Sequence, residues 1–329
     1  MNNHFRFAAV LVAIATAAML ASCGGSQPPI GAPGVAPLSG SAKGLPHHKT
    51  FHYTGAEQSF KVPNGVTFIT VVARGAAGDG GYGSTSSQHF VYYGRGGRVY
   101  AIVPVKSGEI LHVFVGGRGE GSYEGGNGFN GGGQGGEYRY CKFGVCYGFG
   151  GGGASDVRQG GDKLRDRILV AGGGGGAGTG RVDTSGGAGG GSIGGNGQGE
   201  SSSYHGATGG LGGSQRAGGF GGTPGGNRSY GFGGYGGKGH AGSGGTGGQA
   251  GYNAYGSYYY GGAGGGGGGG YYGGGGGGGG APPGAYEGGG LGAGAGGGSS
   301  FVESYAKKSR FWRGWKAATG DGLVVFSWQ

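Results

Sequence analysis

The strongest constraint on this chain is a long stretch with almost no side chains. Residues 264–270 are uninterrupted glycine, residues 273–280 are glycine again, and 106 of the 329 residues are glycine. Each glycine loses roughly 0.5–1 kcal/mol more conformational entropy on folding than alanine does. A glycine mass therefore stays unordered unless something offsets that loss. Collagen is one ordered glycine polymer, but it requires a strict Gly-X-Y period and abundant proline. Here the glycines are consecutive and there are only 10 prolines. The polyglycine II helix fits better: an extended threefold rod with a rise of about 3.1 Å and no internal hydrogen bonds. Its N–H and C=O groups point outward, so rods can bond to one another wherever no side chain blocks the approach. A net gain of about 1 kcal/mol per hydrogen bond nearly balances the entropy, so such rods need a frame.

The frame is legible at the two ends of the glycine. Residues 59–62 run into the turn signal Pro63-Asn64-Gly65. Residues 66–73 (VTFITVVA) are apolar on both faces, as in a strand buried on both sides. Residues 97–105 and 109–115 flank Lys106-Ser107-Gly108 and read as a hairpin. Residues 167–171 and 322–328 add further strands, and residues 300–315 form a basic, aromatic strand and loop. The expected fold class is mostly β: a sandwich with strands mainly at 58–115, 167–171 and 300–329. The glycine-rich region, about 116–299, is inserted between them and packed as polyglycine II helices, with Asn127, Asn130, Asn196 and Asn227 marking loops between rods.

The first residues carry an export signal. Arg6 sits in a short basic segment, residues 8–20 are apolar, and Leu20-Ala21-Ser22-Cys23 follows. The apolar run is too short for a transmembrane span of about 20 residues. The tetrad resembles the lipobox of bacterial lipoproteins. That resemblance implies cleavage before Cys23 and acylation of Cys23, leaving residues 1–22 as the signal peptide. Stable anchoring needs two or more acyl chains, which a fully acylated Cys23 would supply. Gly24 rather than aspartate after the cysteine implies sorting to the outer membrane or cell surface. Residues 23–50, rich in Gly, Pro and Ser, read as a flexible tether before a folded region at 51–329.

Cys141 and Cys146 remain. An exported compartment permits a disulfide between them, with free thiols as the alternative; a metal site needs further ligands that the nearby sequence lacks. Other chemistry has little support. Glycine motifs such as Gly117-Arg118-Gly119 follow a strand, but no helix follows them, so dinucleotide binding is unsupported. The scattered histidines form no H-x-x-x-H or H-E-x-x-H pattern, and no nucleophile context accompanies them. Asp156 and Arg158, with Arg165, Asp166 and Arg167 nearby, read as an ion pair and turn cap at a strand mouth. The net charge of +10 suits anionic lipid, polysaccharide or nucleic acid without choosing among them. An export signal argues against nucleic acid.

Several strings carry a second resemblance: Gly128-Phe129-Asn130 with the glycines after it, residues 150–158 (GGGGASDVR), residues 167–178 (RILVAGGGGGAG), and residues 296–301 (GGGSSF). They resemble the glycine-rich domain of the anaplastic lymphoma kinase and leukocyte tyrosine kinase receptor ectodomains and its bacterial relatives. The resemblance spans about residues 52–329. It implies a jelly-roll-like sandwich with packed polyglycine II helices. The kinase signatures are absent from the sequence, and no enzyme, cofactor or metal is expected. The expected function is a surface binding or adhesion module for a glycan or protein. Its contacts would come from the tyrosine cluster Tyr252, Tyr255, Tyr258, Tyr259, Tyr260, Tyr271 and Tyr272, since tyrosine gives amphipathic contact area at low entropic cost. The alternative is a structural envelope or matrix component without a specific ligand.

Overall fold

A computed structural model describes residues 47–80, 92–121, 126–141, 144–179, 184–199, 206–227, 231–232, 234–249, 261–280 and 292–329, with side chains at all of these except 138–141, 144–146, 227 and 231–232. In chain order the strands are β1 (His47–His52), β2 (Gln58–Lys61), β3 (Phe68–Arg74), β4 (Arg98–Pro104), β5 (Ile110–Phe114), β6 (Glu137–Cys141), β7 (Gly144–Tyr147), β8 (Ser155–Gln159), β9 (Arg167–Ala171), β10 (Gly226–Asn227), β11 (Gly231–Phe232), β12 (Phe301–Val302), β13 (Lys307–Trp312) and β14 (Leu323–Trp328). Two five-stranded sheets form the sandwich, in the orders β1-β14-β3-β4-β13 and β12-β9-β8-β5-β2. Within them every strand pairing is antiparallel.

The core follows from period-two alternation, which sends successive side chains to opposite faces. Ile69, Val71 and Ala73 of β3, Val99, Ala101 and Val103 of β4, and Val324 and Phe326 of β14 point inward. They meet Leu111 and Val113 of β5, Val157 of β8 and Leu169 of β9 in one buried cluster. Phe326 sits edge-on to both Phe51 and Phe60, with ring centroids 5.1 Å apart in each pair. Edge-to-face packing of this kind adds about 0.5–1.5 kcal/mol to simple burial.

Three readings of the sequence change here. First, β4 and β5 are not a hairpin. They lie in different sheets, because β4 is already paired on both sides by β3 and β13, and β5 by β2 and β8. The Lys106-Ser107-Gly108 turn, with Gly108 at φ +80°, instead carries the chain across the sandwich. Second, β3 is not buried on both faces. Only alternate residues are buried, and Phe68 is exposed on the outer side. Third, the expected tether ends earlier than residue 50, because His47–His52 pairs in full register with β14.

The glycine forms a lattice of threefold rods that grows out of the strand ends. Residues 75–79 continue β3, residues 172–178 continue β9, and residues 148–154 and 292–300 lead into β8 and β12. The period is visible in the hydrogen bonds. Gly264 and Gly267 donate to the carbonyls of Gly248 and Gly245, Gly265 and Gly268 to those of Ala293 and Gly296, and Gly266 and Gly269 to those of Phe149 and Gly152, all at 2.8–2.9 Å. Every third N–H thus points to the same neighbour, as a helix of three residues per turn requires. Neighbours of both polarities occur, since the first pair of acceptors runs backward in sequence and the other two run forward. The close approach excludes side chains: a Cβ on Gly267 would lie 2.1 Å from the carbonyl oxygen of Gly274.

Candidate functional site

Where sandwich meets lattice there is a buried polar cluster. Arg158 donates from Nε to Asp156 Oδ1 at 2.7 Å and from Nη2 to Oδ2 at 3.2 Å. Asn130 donates from Nδ2 to the same Oδ2 and to the carbonyl of Ala154, each at 2.8 Å. Asn130 adopts φ +64° to do so, a left-handed conformation that asparagine tolerates better than most residues. The Arg158 guanidinium lies 3.6 Å from the centroid of the Phe114 ring. Arg167 donates to the carbonyls of Leu164, Gly270 and Tyr271 at 2.8, 3.0 and 3.2 Å. Burial pulls the Arg167 guanidinium below the usual arginine range, and nearby Asp156 pulls the other way. With both Asp156 oxygens engaged and Arg167 spanning a strand and a rod turn, the cluster works as a clasp. Arg165 and Asp166 stand apart on a single helical turn, where Asp166 Oδ2 accepts from the Lys163 N–H at 3.0 Å and closes the turn.

Of the tyrosine cluster, Tyr271 and Tyr272 are described and are half-buried. Tyr271 stacks on Phe301 at 4.0 Å, meets Tyr272 edge-on at 5.4 Å, and lies under Arg167. Tyr252, Tyr255, Tyr258, Tyr259 and Tyr260 lie outside the described residues, as does Cys23. Cys141 falls opposite Gly144 and Cys146 opposite Tyr138 in the β6–β7 pairing, and their side chains lie outside the description. Among the described residues, no group of three His, Cys, Asp or Glu is placed to hold a metal, and no helix is long and apolar enough to cross a membrane.

The lattice carries a further arrangement, outside the tyrosine cluster. Its inner rods are nearly pure glycine, whereas its outer rods repeat Gly-Gly-X: Thr208-Gly-Gly-Leu211, Phe220-Gly-Gly-Thr223, Tyr235-Gly-Gly-Lys238 and Thr246-Gly-Gly-Gln249. A threefold rod sends every third side chain the same way, so each X points outward. These rods lie side by side. Leu211 N–H bonds to Phe220 O, Gly239 N–H to Gly219 O, and Gly237 N–H to Thr246 O, at 2.7–2.9 Å. The X residues therefore align in rows across the layer. One row brings the Lys238 ammonium 4.8 Å from the Phe220 ring centroid, and the next sets the Thr208 and Thr223 hydroxyls 2.9 Å apart. Phe220 is 62% exposed, Tyr235 73% and Leu211 44%. The Gly-Gly-X period was the sequence signal for this face. No family model matches the chain, and no curated protein matches it.

Proposed function

We propose that this chain is an exported lipoprotein, anchored through Cys23, that acts as a binding or adhesion module at the bacterial surface and carries out no catalysis. The observation that supports this most is the outer layer of the lattice, where large side chains stand exposed in fixed rows on a backbone held by inter-rod hydrogen bonds. Contacts on rigid elements are more precise than contacts on loops, and preorganised side chains lose less entropy on binding. The tyrosine cluster of residues 252–272 is proposed to add contacts to a glycan or protein ligand.

Protease shaving of intact cells tests the display. Digestion of the folded region while periplasmic controls survive is the expected result; protection until lysis would place the protein inside the envelope and remove the adhesion reading. Cys23→Ser is expected to move the protein from the membrane fraction to the soluble fraction, and unchanged retention would end the lipid assignment. We also propose a Cys141–Cys146 disulfide. Mass mapping of exported protein without reductant should find one linked peptide, and two free thiols would refute it.

A further inference from the structure

The sandwich has a second exposed surface, separate from the lattice. On the outer side of sheet β1-β14-β3-β4-β13 the outward residues of β3 and β4 are mostly half-buried, residues 315–317 fold over its Arg74–Arg98 end, and its five strands contain no aspartate or glutamate. Residues 304–320 hold five cations, Lys307, Lys308, Arg310, Arg313 and Lys316, and no acid. Register places Arg74 directly opposite Arg98, and carries the rows on to Trp312 opposite Arg98 and Arg310 opposite Tyr100. The Arg98 guanidinium lies 4.4 and 4.9 Å from the Trp312 and Trp315 ring centroids, and the two rings meet edge-on at 5.8 Å. Beside it Arg98, Tyr100, Lys308, Arg310 and Trp312 line a shallow trough of about 330 Å³. A second trough of about 410 Å³ lies over β3 and β14, lined by Phe68, Thr70, Ser327 and Trp328, and reaches Ile102 and also Lys307, its one cationic side chain.

Edge protection explains part of this pattern. Lysines and a bulge on an edge strand discourage pairing with another chain, and β13 has both. It does not explain two arginines face to face on the inner strands β3 and β4, since like charges directly opposite are destabilising. The bulge between Lys307 and Arg310 sets Lys308 at φ +55°, a left-handed conformation found at bulges, and so holds its cation at the trough. An anion lying across the face would offset the repulsion between Arg74 and Arg98. Two troughs on one sheet face, bordered by Tyr100 and Ile102 of the same strand, suit an extended polymer better than a single small anion. The Trp312 and Trp315 rings are half-buried against Arg98 rather than projecting, which suits stacking of a flat sugar ring more than insertion into a bilayer.

We infer that this basic, aromatic sheet face binds an acidic polysaccharide along β4 and β13. Carboxylates of the polymer meet Arg98, Lys308 and Arg310, and its sugar rings lie against Tyr100 and Trp312. The test uses purified full-length protein and sodium alginate as the polyuronate, with neutral dextran and phosphatidylglycerol vesicles as comparisons. Alginate is expected to bind at low salt and to weaken steadily as salt rises, while dextran does not bind. The double substitution Lys308→Gly and Arg310→Ser, which places glycine at the left-handed position, should weaken alginate binding tenfold or more without lowering the melting midpoint. Arg310→Ser alone should give a smaller loss in the same direction, which keeps the test open if the double variant unfolds. Phe220→Ser with Tyr235→Ser, on the lattice face, should leave alginate binding intact, so failure of the adhesion reading and failure of this one are told apart. Absence of alginate binding, equal binding by the charge variants, or a charge-dependent preference for the vesicles would each overturn the proposal.

Discussion

Gly267→Ala is expected to cost at least about 3 kcal/mol, at or beyond the upper end of what overpacking a core costs, and to lower the denaturation midpoint clearly. The added methyl would stand 2.1 Å from Gly274 O, 2.8 Å from its carbonyl carbon and 3.0 Å from the Gly245 N–H nitrogen. None of these is a side chain that can swing away. Each belongs to a rod that is itself bonded to further rods, so relief at one contact breaks hydrogen bonds at the next. Gly320→Ala is the matched control. It has no heavy atom within 4 Å of its Cβ position and is not among the positive-φ residues. There the substitution should be neutral or add about 0.4–1 kcal/mol by reducing the freedom of the unfolded chain. Denaturant melts of the two variants beside the parent decide the point. Equal midpoints for both would mean that the lattice yields at position 267.

Asp156→Ala should lower stability by about 3–5 kcal/mol, because it leaves a buried cation without its partner. The Asp156 and Arg158 side chains are only 1% and 7% exposed, so water cannot replace the lost carboxylate. Asn130 loses an acceptor at the same time, which removes one of the side-chain hydrogen bonds that hold its left-handed backbone. The companion experiment is the double substitution Asp156→Leu with Arg158→Met. Replacing both charges by apolar groups of similar size often restores much of what one deletion removes, so the double variant should melt above Asp156→Ala. A double variant as unstable as the sum of its singles would show that the two residues act independently rather than as a pair.

The local elements were legible because their causes are local. Alternation in FITVVAR and RVYAIVP marks strands whatever lies beside them, and the consecutive glycines leave few ordered states open. The Gly-Gly-X repeats at 208–249 also encode which side chains face outward, since a threefold rod needs no partner to set that direction. The buried Asp156–Arg158 pair was readable as an ion pair at a strand mouth. Its extension to Asn130 was not, because that residue comes from a loop whose position depends on the fold.

By itself, then, the sequence determined the mostly β class, the insertion of polyglycine II rods between strands, and the direction of each outer side chain. Only the tertiary structure decided which rod neighbours which, that the strands after and before Lys106-Ser107-Gly108 belong to opposite sheets, and that His47–His52 closes an edge rather than continuing a tether. The physical reason is the same in each case. A polyglycine II rod has no internal hydrogen bonds, and a strand end is equally free to turn back or cross over. Each choice is therefore settled by bonds to segments distant in sequence, such as Gly265 to Ala293 and His47 to Trp328, which no local pattern records.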